Sequence, residues 1–306
     1  MSALATNENV QNVGNILKDR NNPLKDRFRA LFTLKNLGGH EAVDAIASCF
    51  DDPSALLKHE LAYCLGQMQD RYAIPVLTSV LEDTSQEPMV RHEAGEALGA
   101  IGATEVIDIL NKYSSDPVIE VAETCQIAVE RIRWLQRKEE EEKQLLPNPF
   151  NSVDPAPPAA QVDIAVLKET LLDESQSLFH RYRAMFTLRN LNTREAVLAL
   201  AEGLQCQSAL FRHEIAYVLG QLQNDACVEQ LAVNLRDKQE NAMVRHECAE
   251  ALGSIATEEA TAVLQNYLSD SERVVRESCV VALDMSEYEN SSQFQYADTL
   301  HRVMTN

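Results

Sequence analysis

The chain has 306 residues, 45% apolar and 6% aromatic, and 27 Lys and Arg against 47 Asp and Glu give a net charge of −20. That apolar share excludes global disorder, and the length suits two ordinary domains or one extended repeat array. The acidic balance excludes a nucleic-acid surface; it suits a soluble acidic exterior, or one that draws a basic partner or a cationic substrate group.

The N-terminus, MSALATNENV, lacks the charged-then-apolar pattern of a signal peptide. No apolar run approaches the roughly 20 residues of a membrane span. Seven scattered cysteines, with no C-x-x-C pair, indicate neither a disulfide framework nor a zinc ribbon. A reducing, cytoplasmic setting is expected, with no membrane partner and no nucleic-acid partner.

In chain order, Arg27–Leu37 reads RFRALFTLKNL, Lys58–Met68 reads KHELAYCLGQM and Arg91–Ile101 reads RHEAGEALGAI. A weaker copy follows at Val121–Val129. The set then repeats at an offset of 154 as Arg181–Leu191, Arg212–Leu222, Arg245–Ile255 and Val275–Leu283. Each half thus holds four units of about 30 residues, the size of helical hairpins. Asp52-Pro53, Glu87-Pro88 and Asp116-Pro117 put an acid and a proline just ahead of an apolar stretch, a helix-start pattern. Leu61, Leu65 and Met68 then recur at helical spacing as a buried stripe. Gly66, Gly99, Gly220 and Gly253, each seven residues after a histidine, predict close helix–helix approach. Nothing alternates with period two for long enough to propose a sheet, so the expected fold is an all-α solenoid.

Between the halves the pattern stops. Arg137–Lys143 reads RKEEEEK, and Pro147, Pro149, Pro155, Pro157 and Pro158 crowd the next stretch. The expected organisation is an N-terminal arm over 1–135, a flexible charged and proline-rich linker over 136–162, and a C-terminal arm over 163–306. Such a hinge would let the arms face each other and bring two half-sites together.

Four His-Glu pairs carry the chemistry: His59-Glu60, His92-Glu93, His213-Glu214 and His246-Glu247, 33 residues apart within each half. Residues so spaced sit on neighbouring helices about 8–10 Å apart, so two imidazoles can meet on one ion. A carboxylate beside one of them completes a two-histidine, one-carboxylate set, the arrangement of non-haem Fe(II) oxygenases. Neighbours on a helix point about 100° apart, so one Glu per arm can stand behind the ligands or face substrate. The dyads are not a requirement of the repeat: the outer units read Arg27-Phe28 and Val121-Ala122 there. A fifth pair, His40-Glu41, is off the grid and reads as ordinary surface. Four residues past each histidine, Tyr63, Tyr217, Glu96 and Glu250 share its face. They could orient imidazoles, hold a cationic substrate tail, or be plain surface residues. Met89 and Met243 read as packing.

Taken together, the motifs KHELAYCLGQ, VRHEAGEALGAI, RHEIAYVLGQ and VRHECAEALGSI resemble those of the deoxyhypusine hydroxylases, a eukaryotic family of HEAT-repeat di-iron monooxygenases. The resemblance covers nearly the whole chain, with no departure at the eight dyad positions. It implies an α-solenoid of eight HEAT-like helical hairpins in two four-repeat arms. It also implies O2-dependent hydroxylation of the deoxyhypusine side chain of translation initiation factor 5A, the last step of hypusine synthesis. In that pattern His59, His92 and Glu93 hold one iron, and His213, His246 and Glu247 hold the other. Glu60 and Glu214, the catalytic candidates, go to the metal or to the substrate's amines. The implied cofactors are two Fe ions, Fe2+ when reduced, with O2 as co-substrate, and a monomer is expected. Such chemistry needs a redox metal, which zinc is not. Rival readings are a non-catalytic HEAT-repeat scaffold that binds a protein partner, a binuclear hydrolase on the same ligands, and a metal-free chromophore lyase on similar repeats.

Overall fold

A computed structural model describes residues 6–137 and 145–305. Most of the acidic run between the halves lies outside the described residues. Within them the chain is helix and turn, with seventeen α-helices and no strand, so the all-α expectation holds. Two compact units divide it, Met1–Ala128 with Ser292–Asn306, and Val129–Ser291.

The first unit contains α1 (Asn7–Lys18), α2 (Leu24–Leu37), α3 (His40–Ala47), α4 (Ala55–Met68), α5 (Ile74–Glu82), α6 (Pro88–Ile101) and α7 (Ile107–Tyr113). It also takes the start of α8 (Ile119–Leu135). Helices α2, α4 and α6 pack in succession as an inner row, and α1, α3 and α5 lie against them as an outer one. The second unit repeats this with α9 (Ile164–Leu172), α10 (Leu178–Leu191), α11 (Arg194–Glu202), α12 (Ala209–Leu222), α13 (Val228–Arg236), α14 (Ala242–Ile255), α15 (Glu258–Gln265) and α16 (Arg273–Glu289). Its inner row is α10, α12, α14 and α16.

Inner helices are covered on several sides, so they are buried nearly all round. In α4, Leu56, Leu57, Leu61 and Leu65 are fully buried, each stabilising the fold by about 1.5–3 kcal/mol. Inner helices also come very close. A Cβ built on Gly66 would lie 2.8 Å from Ala97 Cα, and one on Gly99 2.6 Å from Ala128 Cβ. The expected packing role of these glycines is therefore the observed one.

The acid-proline pairs work differently from the expected caps. Only Pro88 occupies the first helical turn. Asp52 and Asp116 instead accept the backbone N–H two residues on, from Ser54 and Val118. Their other oxygens take Arg27 at 2.7 Å and Arg91 at 2.6 Å. One carboxylate thus shapes the turn and anchors a basic side chain of the preceding inner helix. Asp270 does the same for Glu272 N–H and Arg245.

Two further features are tertiary. The C-terminal segment, with α17 (Thr299–Thr305), packs on α1 and α2. Arg29 there reaches Gln293 at 3.2 Å and stacks over the Tyr296 ring. The proline-rich stretch is held against the second unit over 148–159. Asp154 grips the fully buried Arg189 at 2.6 and 2.8 Å, and Ala159 N–H bonds Thr187 Oγ1 at 2.7 Å.

Candidate metal centre

The four dyads sit on the inner helices α4, α6, α12 and α14, and the residue before each histidine sets their direction. Arg91 Nε donates to Leu81 O while its guanidinium pairs with Asp116. Arg245 does the same with Leu235 O and Asp270. Lys58 bonds Glu87 at 2.6 Å, and Arg212 bonds Glu240. Arg91 and Arg245 tie their helices to the outer row, and Lys58 and Arg212 tie theirs to the turn that leads into the next inner helix. The next residue points about 100° further round. These anchors were missed in the sequence reading, although a Lys or Arg before every His-Glu pair was the signal. Arg27 bonds Leu17 O as Arg91 bonds Leu81 O, so Phe28-Arg29, not Arg27-Phe28, stands in the dyad register of the outer unit.

All eight dyad residues are buried, from His92 and His246 at 0% exposure to Glu60 at 7%. In the first unit His59 Nε2 lies 3.2 Å from Glu93 Oε2, and Nδ1 lies 3.4 Å from Glu60 Oε1. The rings of His59 and His92 are 5.4 Å apart, tilted by 46°. The second unit has His213 and His246 rings at 5.3 Å and 47°, with His213 Nε2 3.5 Å from Glu247 Oε2. Two separate stretches of chain thus reach nearly the same geometry.

His59, His92 and Glu93 each offer a ligand atom within 4.8 Å of the other two. Two imidazoles and a carboxylate fit a divalent iron, and the set leaves coordination positions open. Burial alone would push the His59 imidazole down, but the carboxylates of Glu93 and Glu60 outweigh it and hold its pKa well above the usual histidine range. The cluster is thus built to hold positive charge.

Cys64 and Cys248 stand close by, yet burial, reinforced by neighbouring carboxylates, raises both thiols well above their ordinary range. They stay protonated and are poor ligands. Met89 and Met243 are buried packing residues. Tyr217 accepts a hydrogen bond from Gln221 Nε2 at 3.0 Å. His246 Nδ1 faces Glu250 Oε1 at 3.5 Å. The off-grid His40 is exposed and stacks on Tyr72, as its surface reading expects.

Buried ligand clusters on tandem helical hairpins define a repeat protein with metal-binding capacity. Residues 43–130 and 197–284 match the family model described as HEAT repeats, and 181–206 match the PBS lyase HEAT-like repeat. Deoxyhypusine hydroxylase of Danio rerio is 63% identical over 303 residues, covering 99% of this chain and 99% of the relative. That of Gallus gallus is 64% identical over 300 residues, covering 98% and 99%. The solved structure of human deoxyhypusine hydroxylase in complex with glycerol is 63% identical, with a TM-score of 0.89, covering 92% of this chain and 97% of that one. The chain belongs to the deoxyhypusine hydroxylase family. Among the described residues no helix is long and apolar enough to cross a membrane.

Proposed function

We infer that this protein is a deoxyhypusine hydroxylase, which converts the deoxyhypusine side chain of translation initiation factor 5A to hypusine. The observation that carries the reading is the buried His59–His92–Glu93 donor set, near-duplicated in the second unit, on a chain 63% identical to family members over its length. His59, His92 and Glu93 would hold one iron, and His213, His246 and Glu247 the other. Bound iron, reduced to Fe2+, supplies the redox chemistry with O2 that acid–base side chains cannot.

The residues divide the remaining work. Glu93 and Glu60 face opposite ring nitrogens of His59, at Nε2 and Nδ1. A carboxylate on Nδ1 keeps the proton there and leaves Nε2 to ligate beside Glu93. Glu60 and its counterpart Glu214 are thus assigned to orienting ligands and to receiving the ammonium groups of the substrate, a cationic side chain suited to buried carboxylates. Helices packed around the dyads exclude water from the reacting C–H bond.

The repeats are counted as four hairpins in each of two arms, 1–135 and 163–306, joined over 136–162; the four outer–inner helix pairs of the second unit, and the three that open the first, support that count. A cytoplasmic monomer is proposed. The test is hydroxylation of a deoxyhypusine-bearing substrate protein, in air and anaerobically, with His92→Ala/His246→Ala as the control. Product in air alone, lost in the double variant, is expected. Full hydroxylation by that variant would overturn the assignment to the dyads, substrate binding with no product even in wild type would return the scaffold reading, and turnover without O2 the hydrolase.

A further inference from the structure

His246 is fully buried on α14, and one turn on, Glu250 turns its Oε1 to within 3.5 Å of Nδ1. The same oxygen accepts a hydrogen bond at 3.1 Å from Ser278 Oγ on α16. Ser278 is fully buried, so its hydroxyl has no bulk water to turn to. A carboxylate only accepts, so the imidazole nitrogen facing it carries the proton. Nδ1–H then leaves Nε2 with its lone pair for a metal. The helix-to-helix link also stops Glu250 from rotating out to solvent.

The first unit does not reproduce this brace. At the 154 offset, His92 and Glu96 match His246 and Glu250, but Thr124 stands in place of Ser278. Thr124 Oγ1 is buried and hydrogen-bonds none of the described residues. Its methyl group is instead directed at Gly95, where an added Cβ would lie 3.5 Å away. The two clusters share ring geometry and differ in whether the hydroxyl at this position of the following inner helix makes a hydrogen bond.

We propose that Glu250, held by Ser278, is a positioning residue that sets His246 for metal binding, and that the second-unit site consequently binds its metal more tightly than the first. This rests on the metal-centre reading above. A carboxylate behind a ligating histidine contributes about 10–100-fold in metal affinity.

The test is an anaerobic titration of the full-length apo-protein with cobalt(II), read by its visible bands and by chelator competition, beside a thermal melt without metal. Wild-type protein should take up two equivalents of unequal affinity. Glu250→Ala should weaken the tighter one about 10–100-fold, with the apo melting point lowered only by the loss of one buried hydrogen bond, a shift that Ser278→Ala shares. Glu250→Gln, which keeps an acceptor in place, should recover most of that affinity, and Ser278→Ala should fall between. A Glu250→Ala protein that titrates like wild type overturns the proposal. So does loss of affinity shared by Glu250→Gln and matched by a fall in apo melting point beyond that shared shift, which would make the brace merely structural. A folded wild-type protein that binds no cobalt(II) overturns the metal-centre reading itself.

Discussion

Replacing Gly66 by alanine puts a methyl group between α4 and α6, the two helices that carry His59 and the His92-Glu93 pair. The new Cβ would stand 2.8 Å from Ala97 Cα and 2.9 Å from Ala97 Cβ. Carbon atoms pack comfortably at about 3.5–4.0 Å, so the helices must part by roughly 0.6–1 Å. Overpacking of that kind costs about 1–3 kcal/mol. Alanine's better helix propensity returns about 1 kcal/mol. The net is a loss of about 1 kcal/mol, or about 2 °C in melting temperature for a chain of this size. The functional effect should be larger. Ligand distances in a metal site hold to about 0.2 Å, and the displacement is several times that. Metal content by elemental analysis should therefore fall toward one ion per chain, with a modest shift in the melt. Gly220→Ala in the second unit has more room, 3.0 Å to Ala251 Cα, and should do less. A Gly66→Ala protein that melts at or above wild type and keeps both metals would refute this reasoning.

Asp270 and Arg245 are both buried, so Asp270→Ala strands a cation and should cost about 3–5 kcal/mol in denaturant unfolding; a loss under 1 kcal/mol would contradict that. The Arg245 hydrogen bond, opposed by burial and aided by Glu272 N–H, lowers the Asp270 pKa from 3.8. A depressed carboxyl stabilises above its unfolded value, so that contribution should be lost as pH falls below about 4, in wild type and not in Asp270→Ala. His59 has the opposite sign. Its raised pKa stabilises the metal-free protein fully below about 6.5 and is lost as pH rises through the folded value. Apo melting points should therefore fall on that rise in wild type more than in His59→Gln, and metal uptake should release protons and tighten with pH. All seven cysteines are buried, so native protein should resist alkylation until it unfolds; rapid labelling of Cys64 or Cys248 would contradict the burial.

Much of this molecule was legible because its information is local and periodic. Apolar spacing of three and four defines each helix, and the 33-residue step places His59 and His92 on neighbouring ones. Glycine seven residues after each histidine announced the close approach seen at Gly66 and Ala97. From those patterns alone came the helical repeat and the grouping of His59 with His92 and Glu93.

What periodicity does not carry is direction and long-range closure. Whether Glu60 or Glu93 reaches the Nε2 edge of His59 depends on how α4 and α6 are rotated, and tertiary contacts such as Lys58 to Glu87 help set that. Arg29 meets Gln293 across 264 residues, and Arg189 meets Asp154 in a proline-rich stretch whose composition reads as free chain. Such bonds join single side chains once, without a repeat to advertise them, so only the folded structure decides them. The contrast between Ser278 and Thr124 belongs with them. Both were visible as hydroxyl residues, but only packing shows that one holds a carboxylate behind a histidine and the other does not.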